Sequence, residues 1–251
     1  ILGVKIIKTK VENKLISVFQ RYEFKYILPE KIALLIENEI SHFMTKDPYT
    51  INSSNYYVRS QYFENNSYAN FYEKVDGMKE RHKYRIRTYS ESESISSPIY
   101  LERKSRLLER TFKTRIKLKP DDLDLIYNNK YEELLETFNR ESFVERFVFD
   151  SFRKRLRPMV LIDYQRSPYI SEYDTNFRLT FDRNIQTSIC SEKDSIFINT
   201  SHWKKVNAGY CTLEVKFLRR FPPWFRRIIQ HYHLRRISIS KFSTGMEACG
   251  L

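Results

Sequence analysis

Glycine is scarce in this chain, five in 251 residues, and none stands in a Walker-type or G-x-G-x-x-G loop, which excludes a nucleotide site built on a glycine-rich backbone cradle. Any phosphate held here must be held by side chains. Cysteine is equally thin: Cys190, Cys211 and Cys249 are odd in number and show no C-x-x-C spacing. Neither a disulfide framework nor a zinc site is indicated, and a reducing cytoplasm suits the chain. No apolar run approaches the roughly 18 to 20 residues of a membrane helix. The start, Ile1 to Lys14, is broken by Lys5, Lys8 and Lys10, so the expectation is a cytoplasmic protein with no transmembrane segment and no targeting signal. His42, His82, His202, His231 and His233 show no metal-ligand spacing joined to a partner motif and are assigned to surface or helix roles rather than to catalysis.

What the chain has is positive charge. Lys and Arg number 44 against 31 Asp and Glu, a formal net charge of +13, so the preferred partner is anionic: nucleic acid, a membrane surface or polyphosphate. A length of 251 residues supports one large domain with its own core.

Short segments alternate charged and apolar residues with the period of two that marks a strand with two chemically different faces. In Arg21-Tyr22-Glu23-Phe24-Lys25-Tyr26 and Lys83-Tyr84-Arg85-Ile86-Arg87 the charges take every second place. The same holds for Glu102 and Lys104, for Lys113, Arg115 and Lys117, for Tyr164 and Arg166, for Arg178 in Phe177 to Phe181, and for Glu214 and Lys216. A single strand of this kind is ordinarily half buried with its charges in water. Seven of them, placing a dozen cations against Glu23, Glu102 and Glu214 on the named face, point instead to a sheet rolled on itself with the charges inside.

Amphipathic helices are predicted over Pro29 to Phe43, Tyr68 to Lys79, Asp121 to Asn128, Tyr131 to Phe138, Glu141 to Arg155 and Trp224 to Arg235. They would cover the apolar outer face of that sheet. The fold class is therefore α+β, an antiparallel β-barrel tunnel with helices packed outside. The serine-rich stretch Ser90 to Pro98 reads as a connection between two strands. Burying so many like charges costs several kcal/mol per unpaired ion, about the effective penalty of a buried charge, so water or a polyanion must fill the lumen. Its few carboxylates would pair with cations or hold a hard divalent metal through oxygen. The basic segment Trp224 to Arg236 is read as a solvated helix beside the entrance rather than a nucleic-acid or membrane surface.

From about Arg21 to Met246 the sequence resembles the VTC domain, the polyphosphate-polymerase branch of the triphosphate tunnel metalloenzyme (CYTH-like) superfamily. The resemblance rests on Arg21 to Tyr26, Tyr84-Arg85-Ile86-Arg87, Leu101-Glu102-Arg103-Lys104, Lys113-Thr114-Arg115, Tyr164-Gln165-Arg166, Phe177 to Asp182, Leu213-Glu214-Val215-Lys216 and Ser240-Lys241-Phe242. It divides the chain into an N-terminal extension, 1–20, and a VTC-like tunnel domain, 21–251.

The resemblance implies transfer of the γ-phosphate of ATP to a growing polyphosphate chain, assisted by Mn²⁺ or Mg²⁺, with no nucleic acid and with protein partners unspecified. It implies Lys25, Arg85, Arg87, Lys104, Lys113, Arg166, Arg178 and Lys241 as the phosphate-binding catalytic set. Arg115, Tyr164, Lys216 and Ser240 would support substrate, and Glu214, Glu102 and Glu23 would be metal ligands. Where hydrolases of the superfamily open with Glu-x-Glu-x-Lys, this chain has Arg21, which favours polymer holding. Near Ser238-Ile239-Ser240-Lys241 the fungal polymerases carry a further lysine, so one phosphate contact fewer is expected. The alternatives are a tripolyphosphate or nucleoside triphosphate hydrolase on the same tunnel, and a non-catalytic polyanion-binding module.

Overall fold

Charge alternation along each strand segregates the two faces of a sheet, and that segregation dictates how the chain folds. A computed structural model describes residues 22–50, 55–93, 97–108 and 110–251. The expected extension 1–20, Arg21 and the centre of the serine-rich connection lie outside the described residues. The elements run β1 (Tyr22–Pro29), α1 (Glu30–Ile40), β2 (Met44–Lys46), a 3₁₀ turn (Pro48–Thr50), β3 (Tyr56–Glu64), α2 (Ala69–Val75), β4 (Glu80–Thr88), β5 (Ile99–Leu107) and β6 (Arg110–Leu118). There follow α3 (Pro120–Tyr127), α4 (Tyr131–Thr137), α5 (Ser142–Lys154), β7 (Arg157–Ser171), β8 (Arg178–Ile189), β9 (Lys204–Lys205), β10 (Tyr210–Phe217), α6 (Pro223–His231) and α7 (Lys241–Cys249).

The described strands form one ten-stranded sheet in the order β1-β10-β8-β7-β3-β4-β5-β6, with β2 added beside β7 and β9 beside β8. Every named pairing is antiparallel. The sheet does not close by hydrogen bonds, which corrects the expected closed barrel: β1 and β6 are its two ends and share no ladder. The free edge of β1 is instead taken by an isolated bridge from Lys25 to Ile237. The seam is spanned by side chains, Lys104 of β5 donating to both oxygens of Glu23 on β1 at 2.8 and 2.9 Å.

The apolar faces turn outward under helices, as the alternation requires. Ile86, Leu101, Ile116 and Phe63 pack with α3 to α5 through Leu123, Leu134, Val144 and Phe147. On the other half, Leu213, Val215, Leu179 and Tyr26 pack with Ile36 and Ile40 of α1 and Phe225 of α6. Burial of each such side chain contributes roughly 1.5–3 kcal/mol. α5 begins on Glu141, whose carboxylate accepts from the N–H groups of Phe143 and Val144, filling donors that a helix start leaves open. α2 is shorter than expected because Gly77, at φ 68°, stops it.

Two elements escape the alternation argument. β3 is buried along nearly its whole length and carries few charges, so it shows no period of two. α7 is short and contains Ser243, Thr244 and Gly245, poor helix formers. Instead of covering the outside, α7 lies on the concave side of the sheet, where Phe242 and Met246 pack with Val58, Val160 and Ile162. The inner side is thus divided between a charged part and an apolar part. Gly245 permits this approach: a Cβ there would meet Ile162 Cδ1 and Thr187 Oγ1 at 3.0 Å. Gly245→Val is expected to destabilise the protein by about 2–3 kcal/mol, the usual cost of overpacking, seen as a lowered midpoint in urea.

Candidate phosphate-binding site

The charged part of the inner side surrounds a cavity of about 480 Å³. β4 supplies Arg85 and Arg87, β5 Lys104, β6 Lys113, β7 Tyr164 and Arg166, β8 Arg178, β10 Glu214 and Lys216, and β1 Glu23 and Lys25, all on its wall. The alternation places them there: Lys25 stands opposite Glu214, Glu23 opposite Lys216, and Lys104 opposite Lys113 in the ladders. Ser240 and Lys241 arrive from the start of α7. Arg115 shares the inward parity but is off the cavity wall, its guanidinium over the Tyr100 ring at 4.4 Å.

Four carboxylates hold most of these cations, while Arg178 donates to the Thr175 carbonyl at 3.3 Å. Glu102, fully buried, accepts from Arg85 Nε and Nη2 at 2.8 and 2.6 Å and meets Lys113 Nζ at 2.5 Å, with Arg87 at 3.9 Å. Glu23 binds Lys25 at 3.2 Å and Lys104 at 2.8 Å. Glu214 binds Lys216 at 2.8 Å and Arg166 at 3.6 Å. Asp182 receives the Arg166 fork at 2.7 and 2.8 Å and Lys241 at 2.6 Å. Asp182 and Tyr62, whose hydroxyl oxygen accepts from Arg85 Nη1 at 2.8 Å, are absent from the sequence-based set. Asp182 was findable, since it follows Arg178 and Thr180 at intervals of two; Tyr62 was not, because it lies on β3.

Each carboxylate is shared by two or more cations, so the site carries an excess of positive charge arranged around ionised acids. Burial pushes the Glu102 carboxyl up, but Arg85, Arg87 and Lys113 hold it well below its usual range. For Glu214 burial is likewise outweighed by Lys216, Lys25, Arg166 and Lys241, and for Asp182 by Arg166 and Lys241. For Glu23, burial and the nearby Glu214 raise the pKa, and Lys104, Lys25 and Lys216 bring it below its ordinary value. Burial pushes Lys113 down to about 7 despite the attraction of Glu102.

Several hydrogen bonds orient the set. Arg87 donates to Ser60 Oγ at 3.0 Å and to the Tyr164 hydroxyl at 3.1 Å, which leaves the tyrosine proton free to donate toward the cavity. Lys25 Nζ donates to the Ile239 carbonyl at 3.2 Å. Ser240 Oγ accepts from Lys83 at 3.0 Å and caps α7.

Among the described residues no cluster of three or more His, Cys, Asp or Glu is placed to hold a metal by itself. Glu102 is fully buried and off the cavity wall, whereas Glu23 and Glu214 lie on it. Glu23 and Glu214 are electrostatic neighbours, and two carboxylates with phosphate oxygens completing the shell are a donor set that suits Mg²⁺ or Mn²⁺. The structure thus brings together the phosphate-binding candidates and separates Glu102 from the other two acids. No described helix is long and apolar enough to cross a membrane.

A family model described as the VTC domain matches residues 20–249. The sequence matches no curated protein. Similar solved structures include a candidate adenylate cyclase from Bacillus halodurans, at 11% identity over 89% of this chain and 95% of that one, with a TM-score of 0.49. A protein of Pyrococcus horikoshii OT3 has 12% identity over 91% and 99% of the two chains and a TM-score of 0.48. A candidate adenylate cyclase from Vibrio parahaemolyticus has 12% identity over 89% and 96%, with a TM-score of 0.44.

Proposed function

The chain belongs to the VTC-domain family, and from that premise we propose that it transfers the γ-phosphate of ATP to the end of a growing polyphosphate chain within the cavity. The observation that carries this reading is the sharing of Glu23, Glu102, Asp182 and Glu214 among Lys25, Arg85, Arg87, Lys104, Lys113, Arg166, Lys216 and Lys241 on one concave wall. Such a wall is ionised, preorganised and short of negative charge, which is what a string of phosphates supplies.

Phosphoryl transfer requires in-line positioning and neutralisation of charge on the equatorial oxygens, with no protein nucleophile. Two groups of cations meet across the seam. Arg85, Arg87 and Lys113 converge on Glu102, while Lys25, Arg166, Lys216 and Lys241 converge on Glu23, Glu214 and Asp182. The first group holds the triphosphate with forked arginines. The second, with Arg178 on the same wall, holds the acceptor chain, and Lys241 neutralises charge at the transferring group. Tyr164 and Ser240 orient phosphate oxygens with their hydroxyl protons. Glu214 and Glu23 would hold a divalent ion, which when bound neutralises phosphate oxygens as a Lewis acid.

The decisive assay incubates the protein with ATP and Mn²⁺ and resolves products on a gel stained for polyphosphate. A ladder of long polymer is expected. Free orthophosphate alone would assign the hydrolase activity instead, and no product of either kind would leave only polyanion binding. EDTA is expected to stop turnover while leaving the affinity for polyphosphate within about threefold, because the cations, not the metal, dominate electrostatic binding; unchanged turnover in EDTA would remove the metal from the reaction.

A further inference from the structure

At one end of the cavity the charge pattern changes. Arg81 stands directly opposite Arg106 in the β4–β5 ladder, and on the next rung Lys83 faces Lys104. Like charges directly opposed across an antiparallel pair are destabilising, and here two successive inward rungs carry them. Deeper in, Arg85 faces Glu102 and the repulsion ends. Lys74, from α2, joins the outer rung, its ammonium donating to the Ser238 carbonyl and hydroxyl at 3.1 and 3.2 Å. Lys74, Arg81, Lys83, Arg85, Lys104 and Arg106 all lie on the cavity wall.

Lys74, Lys83, Arg81 and Arg106 have no carboxylate ion-pair partner among the described residues, unlike the inner cations gathered on Glu23, Glu102, Asp182 and Glu214. The Arg81 guanidinium donates to the Met78 carbonyl and Arg106 Nε to the Leu108 carbonyl at 2.7 Å. Backbone carbonyls orient these groups without neutralising them, and their remaining N–H groups are open to a ligand. From Arg85 to Arg81 is four residues of strand, about 13 Å at the usual rise, so an anion seated at Arg85 and Lys113 leaves the outer rung to a further stretch of the same chain.

We propose that Lys74, Arg81 and Arg106, with Lys83 leading inward, form a distinct mouth subsite that binds the distal part of a linear polyphosphate and makes affinity depend on chain length. It rests on the polyphosphate reading above and adds to it a second, metal-independent station. A flexible string of phosphates fits two opposed guanidinium groups and an ammonium, with no aromatic platform required. Single-stranded nucleic acid, which depends on base stacking onto aromatic side chains, is disfavoured.

The test compares the intact protein with Arg81→Gln/Arg106→Gln, measuring affinity for tripolyphosphate, long-chain polyphosphate and a single-stranded oligonucleotide across a salt series. Long-chain affinity is expected to fall about tenfold or more, with the salt slope reduced by about 1.4, or roughly 0.7 per lost contact as for single-stranded polyanions. Tripolyphosphate affinity is expected to stay within about twofold on the same counterion argument. The melting temperature should hold or rise, since two like charges are removed. Lys74→Gln, on a different element, should reproduce the length-selective loss in milder form. Equal losses for both phosphates, no loss for the long chain, or an oligonucleotide bound as tightly and weakened as much would overturn the subsite. Wild-type protein that binds neither phosphate would overturn the functional reading itself.

Discussion

Arg85→Ala is expected to lower polymer synthesis by about 10³-fold, the low end of the range for removing an arginine that stabilises a transferring phosphoryl group. The change also reaches the fold, because the guanidinium makes two hydrogen bonds to the fully buried Glu102 and one to Tyr62. Deleting it leaves Glu102 with Lys113 at 2.5 Å and Arg87 at 3.9 Å. The expected destabilisation is therefore about 3 kcal/mol, between the value of a charged hydrogen bond and that of a buried pair broken outright. A double variant separates the two effects. Arg85→Ala/Glu102→Gln removes the stranded charge, so it should recover part of the denaturant midpoint while synthesis stays lost. Arg85→Lys keeps the charge but loses the fork and should fall between. If the double variant regains synthesis together with stability, Arg85 serves only to keep Glu102 in place.

How much of this was legible follows from where the information sits. Period-two alternation fixes parity on a strand, so Lys25, Arg85, Arg87, Lys104, Lys113 and Lys216 could be placed on one face before any coordinates. Parity does not say where along the strand a cavity ends, which is why Arg115 shares the face but lies outside the wall. Nor does it reveal the occupant of the concave side. Nothing in Lys241 to Cys249 marks α7 as an inward helix until Gly245 is seen against Ile162 and Thr187. The sequence also overstated the isolation of the lumen cations. Glu102, Glu214 and Glu23 lie within the same strand motifs, but Asp182 completes the balance only when β8 lies beside both β7 and β10. Closure is a matter of edges: a sheet whose first strand is tied to β5 through Glu23 and Lys104 rather than to β6 through a backbone ladder has the same alternation as a closed barrel.

The other large effect concerns pH. Burial, acting against the nearby Glu102, places Lys113 at about 7, far below its ordinary 10.5. Above that value the empty site holds Lys113 neutral, and an arriving phosphate restores the proton by favouring the charged amine. Affinity for tripolyphosphate should therefore fall as pH rises, by up to about tenfold per unit once above the free pKa, with uptake of close to one proton per ligand near pH 8. The ligand's own remaining ionisations work the other way, and a titration of tripolyphosphate alone gives the protons to subtract. Folding stability of the unliganded protein should move oppositely. Between about 7 and 10.5 the unfolded chain binds a proton at Lys113 that the native state does not, so this group makes stability rise with pH across that window. Lys83, pushed well below its usual range by burial and by Lys104, Lys25 and Arg85, contributes with the same sign. Calorimetry in two buffers of different ionisation enthalpy counts the protons, and Lys113→Arg should flatten the affinity profile and abolish the uptake, because arginine stays charged throughout. Binding that is level from pH 7 to 9 with no proton uptake would show that Lys113 keeps its charge in the empty cavity and that Glu102 prevails over burial.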